Sequence, residues 1–419
     1  MNYVEKLYSC RMKIKGFENY DASKLLAYVS FAQNLPNVFR SIIIVVIYLI
    51  IDPFKIEVVP SKSKFIFFQD SSIRKDHKKT CDSIESLFDE ISILRKKRNR
   101  CIKIDFKFLY FFANWLVFFL LMKISLSRKF MYLSTLCGLY RFKNKLEKIY
   151  PNSNNWNVFI TLFDGSPIQN LAAQFFKANG CKTITLQHGF FDKVVDKYEC
   201  DANSIIRGQV SDYFFVWDKK SRDNAVESGI SAEKIKIAGP VKYFNSIRKK
   251  NFSLNKSFCI YFDGTKHYVP RNRNMLKYGK IISDCLGLHF FVKLHPSNSL
   301  FDYPEIKDNS IDILPNDIIN PKILNKFDFI IVAGSSLLIE SIYVGTPVFR
   351  YIDGDRDELF AGISVPTFSN ENDLLGILKK FYLNPEEAFL HVNSIRKNLC
   401  FPEDVREAYR SAFEKILYA

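Results

Sequence analysis

The chain has little with which to hold a metal ion or to build a disulfide framework. Its nine cysteines are scattered over 419 residues, with no Cys-x-x-Cys pair and no Cys/His cluster at metal-ligand spacing. An odd, dispersed set of cysteines is typical of a reducing compartment rather than of a small secreted domain. We therefore expect no structural disulfides and no zinc site.

Long apolar segments are also missing. Residues 42–51 form one apolar run, and residues 108–122, which Asn114 interrupts, form a longer one. Both fall short of the about 18–20 residues that a membrane-spanning helix needs. A buried strand or a core helix is predicted for the first run. The second is flanked by lysines, so it either packs in the core or lies in a membrane interface.

The first residues do not have the charged-then-apolar layout of a signal peptide, so no secretion signal is expected in them. The predicted location is therefore the cytoplasm. The alternative left open is a cytoplasmic protein that also contacts the inner face of the plasma membrane peripherally, through its anionic lipids.

Acidic residues are outnumbered, with 44 Asp and Glu against 60 Lys and Arg and a net charge of +16. Such an excess attracts nucleic acids, anionic membranes or anionic substrates, although scattered lysines also fit a simple bias of composition. No nucleic-acid-binding motif accompanies the charge, so nucleic acid is not an expected partner. The basic cluster at residues 95–100 is predicted to end a helix that carries Ile84, Leu87, Ile91 and Leu94.

Strand-like and helix-like segments alternate clearly from residue 157 onwards and restart at residue 258, after a polar, basic segment without a period. With 47% hydrophobic residues, this rhythm predicts globular α/β domains built on parallel sheets. We expect an N-terminal Rossmann-like domain over residues 1–242, with residues 1–60 as an elaboration, a linker over 243–256, and a C-terminal Rossmann-like domain with a helical tail over 257–419.

The carboxyl ends of the predicted strands define the candidate sites, because ligands bind there in open parallel sheets. Most of the loops at these ends combine a polar side chain with a residue that bends the backbone, and they come from both halves of the chain. We expect them to face each other across one cleft. The loops contain Asp164-Gly165, Gln187-His188-Gly189, Gly239-Pro240, Asp263-Gly264-Thr265, His295-Pro296-Ser297 and Gly334-Ser335-Ser336.

Two of these loops suit a phosphate group. His295 precedes Pro296, which cannot continue a strand ladder, and with Lys293 it forms a basic group that can donate to phosphate oxygens. Ser335 and Ser336 open a helix whose N–H groups and hydroxyls can also bind phosphate. The alternatives are a structural histidine and a serine that only caps the helix.

Glu340 lies one helical turn beyond this serine pair. Its carboxylate is a candidate acceptor for ribose hydroxyls. The alternative is an ordinary solvent-facing helix residue.

Two groups in the first half can deprotonate an acceptor hydroxyl. His188 follows a strand, and its imidazole can take a proton near neutral pH. Asp164 ends the preceding strand and can act as the base, orient His188, or cap a helix. The residues alone do not rank these roles.

The ordered motifs LQHG, AGP, KLHP and GSSLLIESIYVGTPV resemble those of GT-B glycosyltransferases that build bacterial surface polysaccharides. The His-Pro pair followed by Ser-Ser is similar to motifs of bacterial sialyltransferases and polysialyltransferases, and capsule Kdo transferases have related signatures. The resemblance covers residues 157–351. It implies a GT-B fold, with His295, Ser335 and Ser336 on the donor nucleotide and Asp164 as the base.

Two departures from these patterns affect the predicted base. Phe163-Asp164-Gly165 has one acidic residue where the sialyltransferase motif has two. The Gln187-His188-Gly189 element is similar instead to the Trp-His-Gly of teichoic acid polymerases, which implies a catalytic role for His188.

The resemblance predicts an inverting, metal-independent transferase that moves a sialic acid- or Kdo-like sugar from a CMP- or other nucleotide-linked donor. The implied acceptor is a capsule, O-antigen or lipooligosaccharide glycan, free or lipid-linked, and no cofactor is expected besides the donor. The Asp353-Gly354-Asp355 spacing lies late in the chain and does not alter the expectation of no metal. The alternatives are a CDP-glycerol or CDP-ribitol polyol-phosphate transferase, an inactive nucleotide-sugar-binding scaffold, and a sugar-nucleotide epimerase.

Overall fold

Two open sheets organise the chain, one in each half. The computed structural model describes residues 14–30, 38–70, 75–150, 156–190, 208–243, 254–264, 266–307, 311–315, 321–354 and 360–418. The strands of the first sheet are β1 Ile51–Val59, β2 Phe65–Asp70, β3 Ser92–Ile102, β4 Val158–Thr161, β5 Lys182–Leu186, β6 Tyr213–Val216 and β7 Ile235–Ile237. Those of the second sheet are β8 Ser257–Tyr261, β9 His289–Lys293, β10 Ile311–Ile313, β11 Phe329–Val332, β12 Val348–Tyr351 and β13 Thr367–Phe368.

The strand order is β1-β3-β2-β4-β5-β6-β7 in the first sheet and β10-β9-β8-β11-β12-β13 in the second. Every pair is parallel except β1 with β3, which is antiparallel. The doubly wound parallel architecture predicted from the sequence is confirmed. The carboxyl ends of neighbouring parallel strands therefore lie along one edge of each sheet.

Helices cover both faces of the sheets. In the first half they are α1 Ala22–Ser30, α2 Val38–Ile50, α3 Lys75–Glu85, α4 Phe106–Leu121, α5 Leu126–Ile149, α6 Pro167–Ala178 and α7 Lys219–Glu227. In the second half they are α8 Val269–Leu286, α9 Pro321–Leu324, α10 Leu337–Val344, α11 Glu371–Leu383, α12 Pro385–Asn398 and α13 Val405–Tyr418. Side chains of β2 alternate between two apolar cores, with Ile66 and Phe68 in one and Phe67 in the other, as a strand buried on both faces requires.

The basic segment after α3 is not a helix end. α3 stops at Glu85, and β3 lies between β1 and β2. Ile93 and Leu94 point into opposite cores, while the buried Lys96 places its ammonium group 2.6 Å from a carboxylate oxygen of Asp70. The predicted helix over these residues is wrong, because the side chains alternate with a period of two and this ion pair makes burial of the lysine tolerable.

Both apolar runs of the sequence are helices, α2 and α4, and both pack against the long helix α5. The first domain thus carries an extra helical layer outside the one that covers its sheet. Among the described residues, no helix has the length and apolar composition needed to cross a bilayer.

The last helix returns to the first domain. α13 buries Val405, Tyr409, Phe413 and Ile416 along one stripe, and the Phe413 ring lies 5.2 Å from the ring of Phe215 in β6. Arg406 and Arg410 donate to the backbone oxygens of Ser86 and Leu87. The tail, which the sequence analysis placed with the second domain, therefore contacts the first and ties the two together.

Candidate functional site

Loops of the two domains meet at the carboxyl edges of their strands. Phe190, just after β5, stacks on Phe360 of the second domain with ring centroids 5.0 Å apart. A second contact joins Tyr243, at the end of the first domain, to Glu340 in α10. These contacts bring the loop after β5 and the end of the first domain against the second domain. That the predicted site loops of both halves face one cleft stays a prediction.

His295 is held in a defined orientation at the end of β9. The backbone N–H of Ser297 donates to Nδ1 at 3.2 Å, and the Ser297 hydroxyl lies 2.8 Å from the same atom. The proton of the neutral ring therefore sits on Nε2, which makes that edge a hydrogen-bond donor. The ring also packs over Gly264 in the loop after β8, where a Cβ atom would lie 2.7 Å from it, so a larger residue there would displace the ring.

Asp263 connects the loops after β8 and β11. Its buried carboxylate accepts from the Gly334 N–H at 3.0 Å and from the Arg271 guanidinium at 3.2 Å. Arg271 also forms a 2.6 Å ion pair with Asp353. Gly334, which the sequence makes a candidate phosphate-binding residue, therefore uses its N–H to fix the loop itself.

The Ser335-Ser336 turn opens α10 and is half-buried. The Ser335 Oγ accepts from the Leu337 N–H at 3.3 Å, and the Ser336 hydroxyl donates to Glu340 at 3.3 Å. Ser335 thus binds one N–H of the first turn, whereas Ser336, the N-cap residue, makes no side-chain cap. Since a hydroxyl has one proton and two lone pairs, the bond from Leu337 leaves Ser335 able to donate to a ligand. Lys293, at the end of the neighbouring β9, is buried.

Glu340 does not face solvent. Its side chain is buried and accepts from Lys242 at 2.9 Å, from the Tyr243 hydroxyl and from Ser336. Lys242 and Tyr243 belong to a short 3₁₀ turn, Val241–Tyr243, that leaves the first domain. The carboxylate therefore connects the serine turn to the segment between the domains. Its oxygens already accept three hydrogen bonds from the protein, so the predicted ribose contact stays a prediction.

Lys242 is a site residue that the sequence analysis missed. Its ammonium group lies beside Glu340 and 5.4 Å from the centroid of the Trp217 ring. The available signal was its position two residues after the Ala-Gly-Pro that follows β7. That position places a cation at the carboxyl edge of the first sheet.

Asp164 is completely buried. Its Oδ2 accepts from the N–H groups of Val210 and Ser211 at 2.9 and 2.7 Å, and its own N–H donates to Thr185. Burial raises the pKa of this carboxyl, against hydrogen bonds that lower it. The geometry describes a residue that holds the segment before β6, without exposed surface for an acceptor. The base role assigned to it remains a prediction, and this burial counts against it.

His188 keeps partial exposure on the loop after β5, and its ring lies 4.6 Å from the ring of Phe163. Phe163 also covers Gly165, where a Cβ atom would come within 2.3 Å of its ring. Of the two candidate bases, His188 is therefore the more exposed one.

The loop that carries His188 is fixed by the buried Gln187. The side-chain oxygen of Gln187 accepts from the backbone N–H of Trp217 at 2.7 Å. Its amide nitrogen donates to the Ser221 hydroxyl and to the Gly189 carbonyl. A Cβ atom at Gly189 would meet nothing within 4 Å. Gln187 thus positions the loop, and no neighbouring atom of the described residues comes close enough to Gly189 to require a glycine there.

The remaining predicted residues have other places. Gly239 has a φ of +82°, and a Cβ there would lie 2.6 Å from Val405 of α13, so this glycine serves packing of the last helix. Pro296 is exposed beside His295. Thr265 lies outside the described residues.

Several solved structures have a fold similar to that of this chain. No protein-family model and no curated protein matches the sequence. Among solved structures, a putative UDP-N-acetylglucosamine 2-epimerase from Listeria monocytogenes has a TM-score of 0.53 at 11% identity, covering 84% of this chain and 96% of its own. S. aureus MnaA with UDP has a TM-score of 0.50 at 11% identity, covering 82% and 94%.

A third similar structure is TarM, with a TM-score of 0.46 at 14% identity. The match covers 67% of this chain but only 58% of TarM. At these identities the likeness shows architecture alone. Two Rossmann-like domains of the GT-B type, the fold predicted from the sequence, are confirmed.

Proposed function

We propose that this protein is a metal-independent glycosyltransferase that uses a nucleotide-activated sugar. The observation that carries the proposal is the arrangement at the end of β9, where the His295 ring is oriented by Ser297 and seated on Gly264. Beside it, Asp263 binds the serine-turn loop to the same edge of the second sheet. Oriented donors at such an edge suit the phosphate of a departing nucleotide.

The donor side of the proposed reaction needs positive charge and N–H or O–H donors. His295 offers its Nε2–H, Ser335 offers its hydroxyl proton, and Lys293 and Lys242 provide cationic charge nearby, whereas the hydroxyl proton of Ser336 is donated to Glu340. When the bond between the sugar carbon and the phosphate oxygen breaks, its electron pair leaves with the phosphate. These groups stabilise that negative charge because they are already in place.

On the acceptor side, His188 takes the proton of the attacking hydroxyl. The hydroxyl oxygen then forms the new bond to the anomeric carbon from the face opposite the phosphate, which inverts the configuration. A glycan acceptor, free or lipid-linked, is the proposed partner, and a cytoplasmic location with the acceptor presented at a membrane is part of the same proposal.

The nucleotide is tested directly by ligand-induced thermal stabilisation of the full chain. CMP, CDP, UDP and GDP are compared, because the sequence resemblance favours cytidine nucleotides whereas the structure of MnaA contains UDP. The nucleotide that matches the donor should stabilise the native state, by about 2.7 kcal/mol at a concentration 100 times Kd. Our expectation is CMP or CDP, and stabilisation by UDP or GDP alone would contradict it.

A pair of histidine variants locates the binding. His295→Ala should remove most of the stabilisation. His289→Ala is the matched control, since His289 starts the same strand β9 and is largely exposed at its opposite end. An equal loss in both variants, or none in His295→Ala, would remove His295 from the site.

One alternative function has an observation in its favour. The similar structures with TM-scores of 0.50 or more include UDP-N-acetylglucosamine 2-epimerases that match over nearly their whole length. An epimerase would convert the donor sugar without an acceptor. A polyol-phosphate transferase would retain phosphate in its product, and an inactive scaffold would turn over no donor. Analysis of the products therefore distinguishes these two and the epimerase from a glycosyltransferase.

A further inference from the structure

Helix α2 presents an apolar face to solvent. Its exposed residues recur at helical spacing along one side: Phe39, Ile43, Val46, Ile47 and Ile50 are each 40–69% exposed. The opposite side packs against α5, with Ser41 and Val45 buried. A surface helix of a soluble domain normally places polar side chains outward. The solvent-exposed side of this helix is therefore apolar.

Helix α4 repeats the pattern. Phe108, Trp115 and Phe119 are buried on its inner side, while Phe106, Tyr110, Val117, Leu120 and Leu121 are 52–84% exposed. Lys107 is the single charged residue of the helix. Its outer face thus offers large apolar and aromatic side chains and almost no charge.

The buried guanidinium of Arg141 joins the two faces. It donates to the Tyr48 and Leu49 carbonyls at the end of α2 and, at 2.8 Å, to the Lys103 carbonyl just before α4. The Lys103 N–H in turn donates to the Ile50 carbonyl. Ile102 and Ile104, 76% and 63% exposed, flank this junction and add apolar side chains between α2 and α4.

The rim of this surface is basic. Asp105 is the only acidic residue between positions 91 and 146, and its carboxylate caps α4. Lysines at 103, 107 and 123 are exposed around the apolar faces. A contiguous exposed apolar patch marks an interaction site, and a cationic rim selects a partner with a negatively charged surface.

We propose that the outer faces of α2 and α4, with Ile102 and Ile104, form a platform that docks the first domain on a bilayer containing anionic lipids. The aromatic side chains enter the interface between headgroups and acyl chains, and the lysines contact the headgroups. A second copy of the chain is the weaker occupant, because pairing two such platforms brings like charges together. This inference rests on the surface alone and holds whichever sugar reaction the cleft performs.

The test is co-sedimentation of the full chain with vesicles of phosphatidylcholine alone or of phosphatidylcholine with phosphatidylglycerol at 3:1. We expect binding to the anionic vesicles, at least about tenfold weaker binding to the neutral ones, and weakening at high salt, because counterions screen the attraction. The double variant Ile47→Glu with Val117→Glu, at exposed positions of α2 and α4, should reduce binding at least about tenfold.

Leu390→Glu is the matched control, since Leu390 is 66% exposed on α12 of the second domain, and it should bind like the wild type. Circular dichroism checks the fold of each variant, and nucleotide-induced stabilisation, retained in all of them, separates this test from that of the proposed function. Absence of wild-type binding, or unchanged binding of a folded double variant, would overturn the proposal. So would concentration-dependent self-association that the double variant abolishes without any vesicle binding.

Discussion

Replacing His188 by alanine is expected to lower the rate of glycosyl transfer by about 10²–10⁴-fold, the usual contribution of a general base. The affinity for the donor nucleotide should be unchanged, since His295 and Ser335, the proposed hydrogen-bond donors to the phosphate, are in the other domain. Initial rates and nucleotide-induced stabilisation, measured on the same preparation, check both statements. His188 owes this role to its partial exposure on a loop that the buried Gln187 holds in place.

Asp164→Asn is the informative companion variant. The asparagine oxygen can still accept from the N–H groups of residues 210 and 211, but the amide cannot accept a proton at neutral pH. Because Asp164 is fully buried, we expect activity within a few-fold of the wild type. Loss of activity in Asp164→Asn together with full activity in His188→Ala would assign the base to Asp164 instead.

Replacing Phe413 by alanine is expected to reduce the free energy of unfolding by about 3–5 kcal/mol, the cost of removing a buried phenyl ring. The Phe413 ring is 2% exposed and contacts three aromatic rings of the first domain: Phe65 in β2, Phe88 in the turn after α3, and Phe215 in β6. Its loss leaves a cavity where the last helix crosses between the domains. Chemical denaturation of the variant measures the effect.

Tyr418→Ala is the control for the same helix, because Tyr418 is 81% exposed and its removal should change stability by less than about 0.5 kcal/mol. Phe413→Ala should also broaden the unfolding transition or split it in two, since α13 ties the second domain to the first. A variant as stable as Tyr418→Ala would show that this contact does not hold the domains together.

The architecture could be predicted from local pattern where strands are short, apolar and followed by polar turns. Residues 158–162 and 258–262 are of this kind, and both lie in parallel strands as expected. β3 could not be predicted in this way, because its basic side chains are typical of an exposed helix end. Pairings with the neighbouring strands, such as Lys96 with Asp70 of β2 and Lys97 with Glu57 of β1, make its position favourable.

The site was predictable to the level of loops but not of contacts. The sequence places Glu340 one turn after the serine pair, yet its burial depends on Lys242 and Tyr243, about a hundred residues earlier in the chain. The use of the Gly334 N–H by Asp263 is likewise a long-range contact. The last helix, α13, packs on the first domain through its apolar stripe. The local sequence shows that stripe but not the surface that it contacts.

The most direct test of the proposed function is to supply the purified chain with nucleotide sugars and an oligosaccharide acceptor and to analyse both products by mass spectrometry and NMR. CMP-linked sialic acid and Kdo and UDP-N-acetylglucosamine are the donors to compare. The proposal predicts an acceptor enlarged by one sugar in an inverted linkage and an equal amount of released nucleotide, without added metal. An epimerised donor with an unchanged acceptor, or a product that retains phosphate, would contradict it.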